Sequence, residues 1–143
     1  MERVTGHRAV MSIPYRWTRN VVRDEPVPTP DLALGRDYTY VTDIAGGIRA
    51  VLDAPSLGHD VYNVTAGAYV SLAKLLAAIR ELNPDTRTVE AGPEDTAASS
   101  LGTARGPLSG YRLGRDLGWA PEYDLTSGLA EYIRWRREAP FLD

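Results

Sequence analysis

Residues 35–65 read GRDYTYVTDIAGGIRAVLDAPSLGHDVYNVT, and this stretch decides the fold class. Tyr38, Thr39, Tyr40 and Val41 are aromatic or β-branched, the residue types that fit a pleated, half-buried strand. Thr42 and Asp43 follow, with side-chain oxygens that can accept from free backbone N–H groups and an acid that suits the positive end of a helix. Ile44, Ile48, Val51 and Leu52 recur at helical spacing and predict one apolar stripe. Ala54-Pro55 closes the helix, because the residue before a proline is pushed out of the helical region. Val61, Tyr62, Asn63 and Val64 predict a second strand. Strand, helix and strand in about thirty residues have the size of one βαβ unit, so the class is α/β.

Upstream, Met1 to Ala9 is polar and irregular. Ile13-Pro14 can open a helix, since proline is well placed in a first turn. Tyr15, Thr18, Arg19 and Val22 would lie along one face, which leaves Trp17 on the other side in need of a partner. Asp24 to Leu34 carries prolines at 26, 28 and 30, which excludes a helix or a central strand.

Downstream, Ala66-Gly67 marks a turn and Ser71 is a good helix cap for a stripe of Leu72, Leu75, Leu76 and Ile79. Asn83-Pro84 stops that helix, and Thr86 to Glu90 is a possible strand. Residues 91–106 (AGPEDTAASSLGTARG) are small and polar and read as a mobile loop. Leu108 to Leu117 predicts a short helix ending in the Gly118 turn. A last helix from Asp124 or Thr126 would put Leu125, Leu129, Tyr132, Ile133 and Arg136 on one side. Trp119 and Trp135 are expected in the core, as large amphipathic rings near the chain end.

Composition bounds the function classes. At 143 residues and 43% apolar, the chain is one globular domain at most. A net charge of −3 with interspersed signs gives no footprint for nucleic acid. No apolar run approaches the ~20 residues of a membrane span and no signal peptide is visible, so a cytoplasmic protein is expected. There are no cysteines, and His7 and His59 alone make a poor metal site.

The segments GRDYTYVTDIAGGIRAVLDAP, HDVYNVTAGAYVSLAKLLAAI and RDLGWAPEYDLTSGLAEYIRWRRE also carry a resemblance. They are similar to the C-terminal part of the NAD-dependent epimerase/dehydratase family, the extended short-chain dehydrogenases that act on nucleotide sugars. Its Arg-Asp-aromatic-x-Tyr/His-Val-x-Asp motif, Val/Ile-Tyr-Asn-Val strand and Leu-Gly-Trp-x-Pro ending occur here in order. The resemblance implies the C-terminal portion of a Rossmann-type fold with the main dinucleotide-binding half absent. Residues 1–143 would then be a substrate-binding lobe plus the last strand and helix unit. It also implies a sheet edge at Val61–Val64 and a helix Thr42–Asp53 deprived of their usual cover.

The family's chemistry is missing from this chain. No G-x-x-G-x-x-G exists to place helix N–H groups on a pyrophosphate. The family's catalytic Tyr, with a Lys four residues on, has no match: Tyr15 is followed by Arg19, and Tyr69 by Ala73, with the only lysine, Lys74, one place later. No catalytic residue is assigned. Gly46-Gly47, inside a helix pattern, is expected to allow close packing against a neighbour.

What the resemblance leaves is the sugar-nucleotide side. Arg36 matches the family arginine that contacts the substrate diphosphate, a task suited to a planar, forked cation. The plainer alternative is a local ion pair with Asp37. Arg105 is the candidate for a second phosphate-contacting arginine, against a plain loop arginine. Met11 and Ser12 fall where main-chain atoms contact the base. Asp43 reads as a helix-start residue, and Asn63 as satisfying backbone groups at a strand end.

The complete enzyme would carry NAD or NADP, with no cofactor expected for this chain alone. Expected partners are a nucleotide-sugar and either a second copy or the missing N-terminal half, with neither nucleic acid nor membrane. Two other readings stay open: a non-catalytic binding or accessory module from a shortened reading frame, and a small α/β interaction domain.

Overall fold

The computed structural model describes residues 12–92 and 106–139. Helix α1 (Ile13–Val22) opens with Pro14 in its first turn, where the missing N–H costs no hydrogen bond. Its packed face differs from the expected one: Ile13, Trp17 and Thr18 are buried. Trp17 is 1% exposed, and its indole N–H donates to the Pro28 carbonyl at 2.8 Å. Burying so large a ring outweighs the weak stripe through Tyr15 and Val22.

The proline-rich segment forms strand β1 (Val27–Thr29), which pairs in parallel with the later strand β4 (Thr88–Glu90). Pro28 is tolerated because a two-stranded ladder leaves one side of each strand open. Strand β2 covers Gly35–Asp37 and pairs antiparallel with β3 (Tyr69–Ser71), Arg36 lying opposite Val70. Gly35 is required at its place, since a Cβ there would come within 2.2 Å of the Val70 carbonyl oxygen.

Two expected strands are therefore corrected. Tyr38–Tyr40 follow β2 without ladder bonds, and Val41 already begins helix α2 (Val41–Leu52). Val61–Val64 forms no ladder either, so strand, helix and strand do not close a βαβ unit among the described residues. Neither sheet exceeds two strands. Strand propensity records fitness for a half-buried pleated surface, and without neighbouring strands it cannot be realised.

Helix α3 (Leu72–Leu82) starts as expected, with the Ser71 hydroxyl accepting from Lys74 N–H at 3.2 Å. Leu72, Leu75, Leu76 and Ile79 are all buried. Helix α4 (Tyr111–Leu117) begins three residues later than expected and ends at Gly118, whose φ of 67° suits glycine. Helix α5 (Leu125–Glu138) is capped by Asp124 in a reciprocal box with Ser127. Arg136, expected on its inner face, is 4% exposed and lies 4.2 Å from the Tyr15 ring centre and 5.0 Å from that of Tyr132. Trp135 is 45% exposed rather than buried, stacked on Tyr132 at the surface.

One core joins α1, β1, β3, α3 and α5 through Trp17, Val27, Val70, Leu75, Ile79 and Leu129. Helix α2 stands outside it. Its buried residues are Asp43 and Gly47, while Ile44, Ile48 and Leu52 are exposed. A Cβ on Gly47 would lie 2.4 Å from Val64 and 3.3 Å from Trp119, which is the close packing expected of the glycine pair. Trp119 is half-buried against this helix and takes no part in the main core.

Candidate functional site

Arg36 occupies the middle of β2, half-buried, and its charge opposes the burial that raises the Tyr38 hydroxyl pKa. The next residue, Asp37, gathers three parts of the chain. Its Oδ2 accepts a hydrogen bond from the Thr65 hydroxyl and another from the Leu108 backbone N–H at 3.1 Å. Thr65 is 4% exposed, and its hydroxyl oxygen accepts from Gly67 N–H at 3.0 Å. Asn63 donates to the Ser109 carbonyl at 3.1 Å, satisfying a backbone group as expected, though not at a strand end.

Ser12 is the residue before α1; its carbonyl accepts the first helical hydrogen bond from Arg16 N–H, and its side chain caps nothing. Met11, Arg105 and most of the expected 91–106 loop lie outside the described residues. Asp43 does more than start a helix: its carboxylate is buried and accepts from Glu122 and Tyr123 N–H at 3.0 and 3.2 Å. Nothing in the local pattern shows this, because the partners lie about eighty residues away.

A second polar group ties the 57–62 loop to α4. Tyr62 accepts from Gly58 N–H and donates to Asp116 at 3.1 Å, while Arg115 bonds both Asp116 and His59. The Arg115 hydrogen bond comes first among the causes that hold the Asp116 carboxyl below the ordinary range. Among the described residues no three His, Cys, Asp or Glu side chains are placed to hold a metal ion. No helix there is long and apolar enough to cross a membrane.

A dinucleotide needs a glycine-rich passage from strand to helix, so that backbone N–H groups reach its pyrophosphate. Among the described residues, the two direct strand-to-helix passages run through Tyr38–Tyr40 into α2 and from Ser71 into α3. Neither contains glycine, and the Ser71 side chain already occupies the Lys74 N–H. Neither of these two passages, among the described residues, offers the backbone cradle that a dinucleotide pyrophosphate needs.

No family model matches the chain. It is 34% identical over 101 residues to a dTDP-glucose 4,6-dehydratase of Streptomyces griseus, covering 70% of this chain and 29% of that protein. The solved structure of MoeE5 in complex with UDP-glucuronic acid and NAD matches 90% of this chain and 42% of its own, with a TM-score of 0.71 and 25% identity. Bordetella bronchiseptica WbmF, in complex with NAD+ and UDP, matches 90% of this chain and 37% of its own, with a TM-score of 0.70 and 22% identity. The chain thus spans less than a third of the curated relative's length and about two fifths of these structures.

Fold and relatives define a class, the extended short-chain dehydrogenases of Rossmann type, represented here over part of their length. Within that class the chain is similar, over part of their length, to the NAD-dependent epimerase/dehydratases.

Proposed function

We propose that this chain is the C-terminal, substrate-binding portion of an NAD(P)-dependent nucleotide-sugar epimerase or dehydratase, with Arg36 holding the substrate diphosphate. A guanidinium pairs bidentately with phosphate oxygens. Arg105 is proposed as the second phosphate contact, and the main chain at Met11 and Ser12 as the contact to the base. NAD or NADP belongs to the complete enzyme; this chain alone is proposed to bind neither and to turn over no substrate. A cytoplasmic location is part of the same proposal.

The observation that carries the reading is the match over 90% of this chain to a protein solved with UDP-glucuronic acid and NAD. The position of Arg36 on an anchored strand supports it locally. Titration calorimetry of the chain with UDP tests it. Arg36→Ala is expected to weaken binding more than about tenfold, from the ~1.5–3 kcal/mol of a hydrogen bond to a charged group. Arg36→Lys should recover only part, since an ammonium cannot fork. NAD should give no binding heat. Unchanged UDP affinity in Arg36→Ala, or no UDP binding by the native chain, would overturn the assignment.

A further inference from the structure

We infer that Asp37 is a positioning residue for diphosphate binding: its carboxylate fastens the outgoing end of β2 to Thr65 and Leu108 and so holds Arg36 in its binding orientation. The inference rests on the reading of Arg36 given above and adds to it the device that prepares that arginine.

Strand β2 is three residues long, and β3 is its only ladder partner among the described residues. Its last pair, Asp37 with Tyr69, closes the ladder. So short a strand cannot hold its own end by backbone pairing, since ends are the first parts of an element to open. The side chain of Asp37 supplies the missing hold by accepting from residues 28 and 71 positions further along the chain.

Both holding points are themselves fixed. Thr65 is buried, and a Cβ on Gly110 would come within 3.3 Å of its methyl group, so Gly110 lies directly on the 63–65 segment. Asn63 fastens the same segment through the Ser109 carbonyl. Arg36 shares a peptide bond with Asp37, and alternation along a strand sends the two side chains to opposite faces. Fixing Asp37 from one face therefore fixes the backbone from which Arg36 reaches on the other. A long cation held on a fixed backbone loses less freedom when it binds, and the gain appears as affinity.

The test is a double-mutant cycle read by UDP titration of the whole chain. Asp37→Ala is expected to weaken UDP binding about tenfold in the native background but less than about twofold in the Arg36→Ala background, because coupled residues are non-additive. Asp37→Asn, which keeps one acceptor oxygen, and Thr65→Ser, which keeps the hydroxyl, should restore most of the affinity. Thr65→Val serves the same cycle if Asp37→Ala does not fold. Equal losses in both backgrounds, or native affinity in Asp37→Ala, would overturn the positioning role while leaving Arg36 as the phosphate contact. Native affinity in Arg36→Ala would instead remove the diphosphate reading itself, and this inference with it.

Discussion

At the scale of single residues, Gly46 and Gly47 are neighbours in α2 with opposite reasons for lacking a side chain. A Cβ on Gly46 would meet Trp119 at 3.5 Å, an ordinary contact, whereas one on Gly47 would run into Val64 at 2.4 Å. Gly46→Ala should therefore stabilise the chain by up to ~1 kcal/mol through helix propensity. Gly47→Ala should destabilise it by ~1–3 kcal/mol through overpacking. Urea denaturation of the two variants measures the difference, and equal midpoints would show that α2 does not sit against Val64 and Trp119. Trp17 makes the complementary point. Its indole fills the core and finds its acceptor eleven residues on at Pro28, a partner that no helical periodicity displays.

At the scale of elements, the helix ends were the most legible features, because a cap is satisfied within three or four residues. Ser71 and Asp124 both cap as their sequences suggest, and Ser71→Ala should cost about 1 kcal/mol in urea denaturation. The Asp124 carboxyl is held below its ordinary value, first of all by the Ser127 backbone N–H. A depressed folded-state pKa contributes stability above the ordinary aspartate value of about 3.9 and loses it as pH falls through the lowered folded value. Helix α5 should therefore lose thermal stability as the solution is acidified below about pH 4, and Asp124→Asn should flatten that dependence. Melting curves by circular dichroism between pH 6 and pH 2 provide the check. Parallel pH profiles for the native chain and the variant would exclude Asp124 as a source of acid sensitivity.

At the scale of the whole molecule, the core and the apolar surface lie apart. The core draws on α1, α3 and α5, whereas α2 presents Ile48 at 50%, Val41 at 66% and Leu52 at 77% exposure. Apolar residues grouped in this way favour association. The isolated chain is expected to self-associate through this face, and Ile48→Glu combined with Leu52→Glu should shift it to monomer without lowering its melting temperature. Light scattering across a dilution series decides the matter. A native monomer at all concentrations, or a double variant that unfolds, would show that the face is not the contact.

Spacing and near neighbours in the chain suffice for the α/β class, for all five described helices to within a few residues, for the α3 core stripe and for the caps. The sequence also marked Arg36 through a motif, and the glycine pair as a place of close approach. Long-range contacts are what make β2 Gly35–Asp37, leave 61–64 without a ladder, put Trp17 in the core and Trp135 at the surface, and join Asp37 and Asp43 to backbone far away. The physical reason is the same in each case. A hydrogen bond or a packed ring needs a partner, and when that partner is dozens of residues distant, or no strand lies beside the segment among the described residues, local pattern carries no record of it.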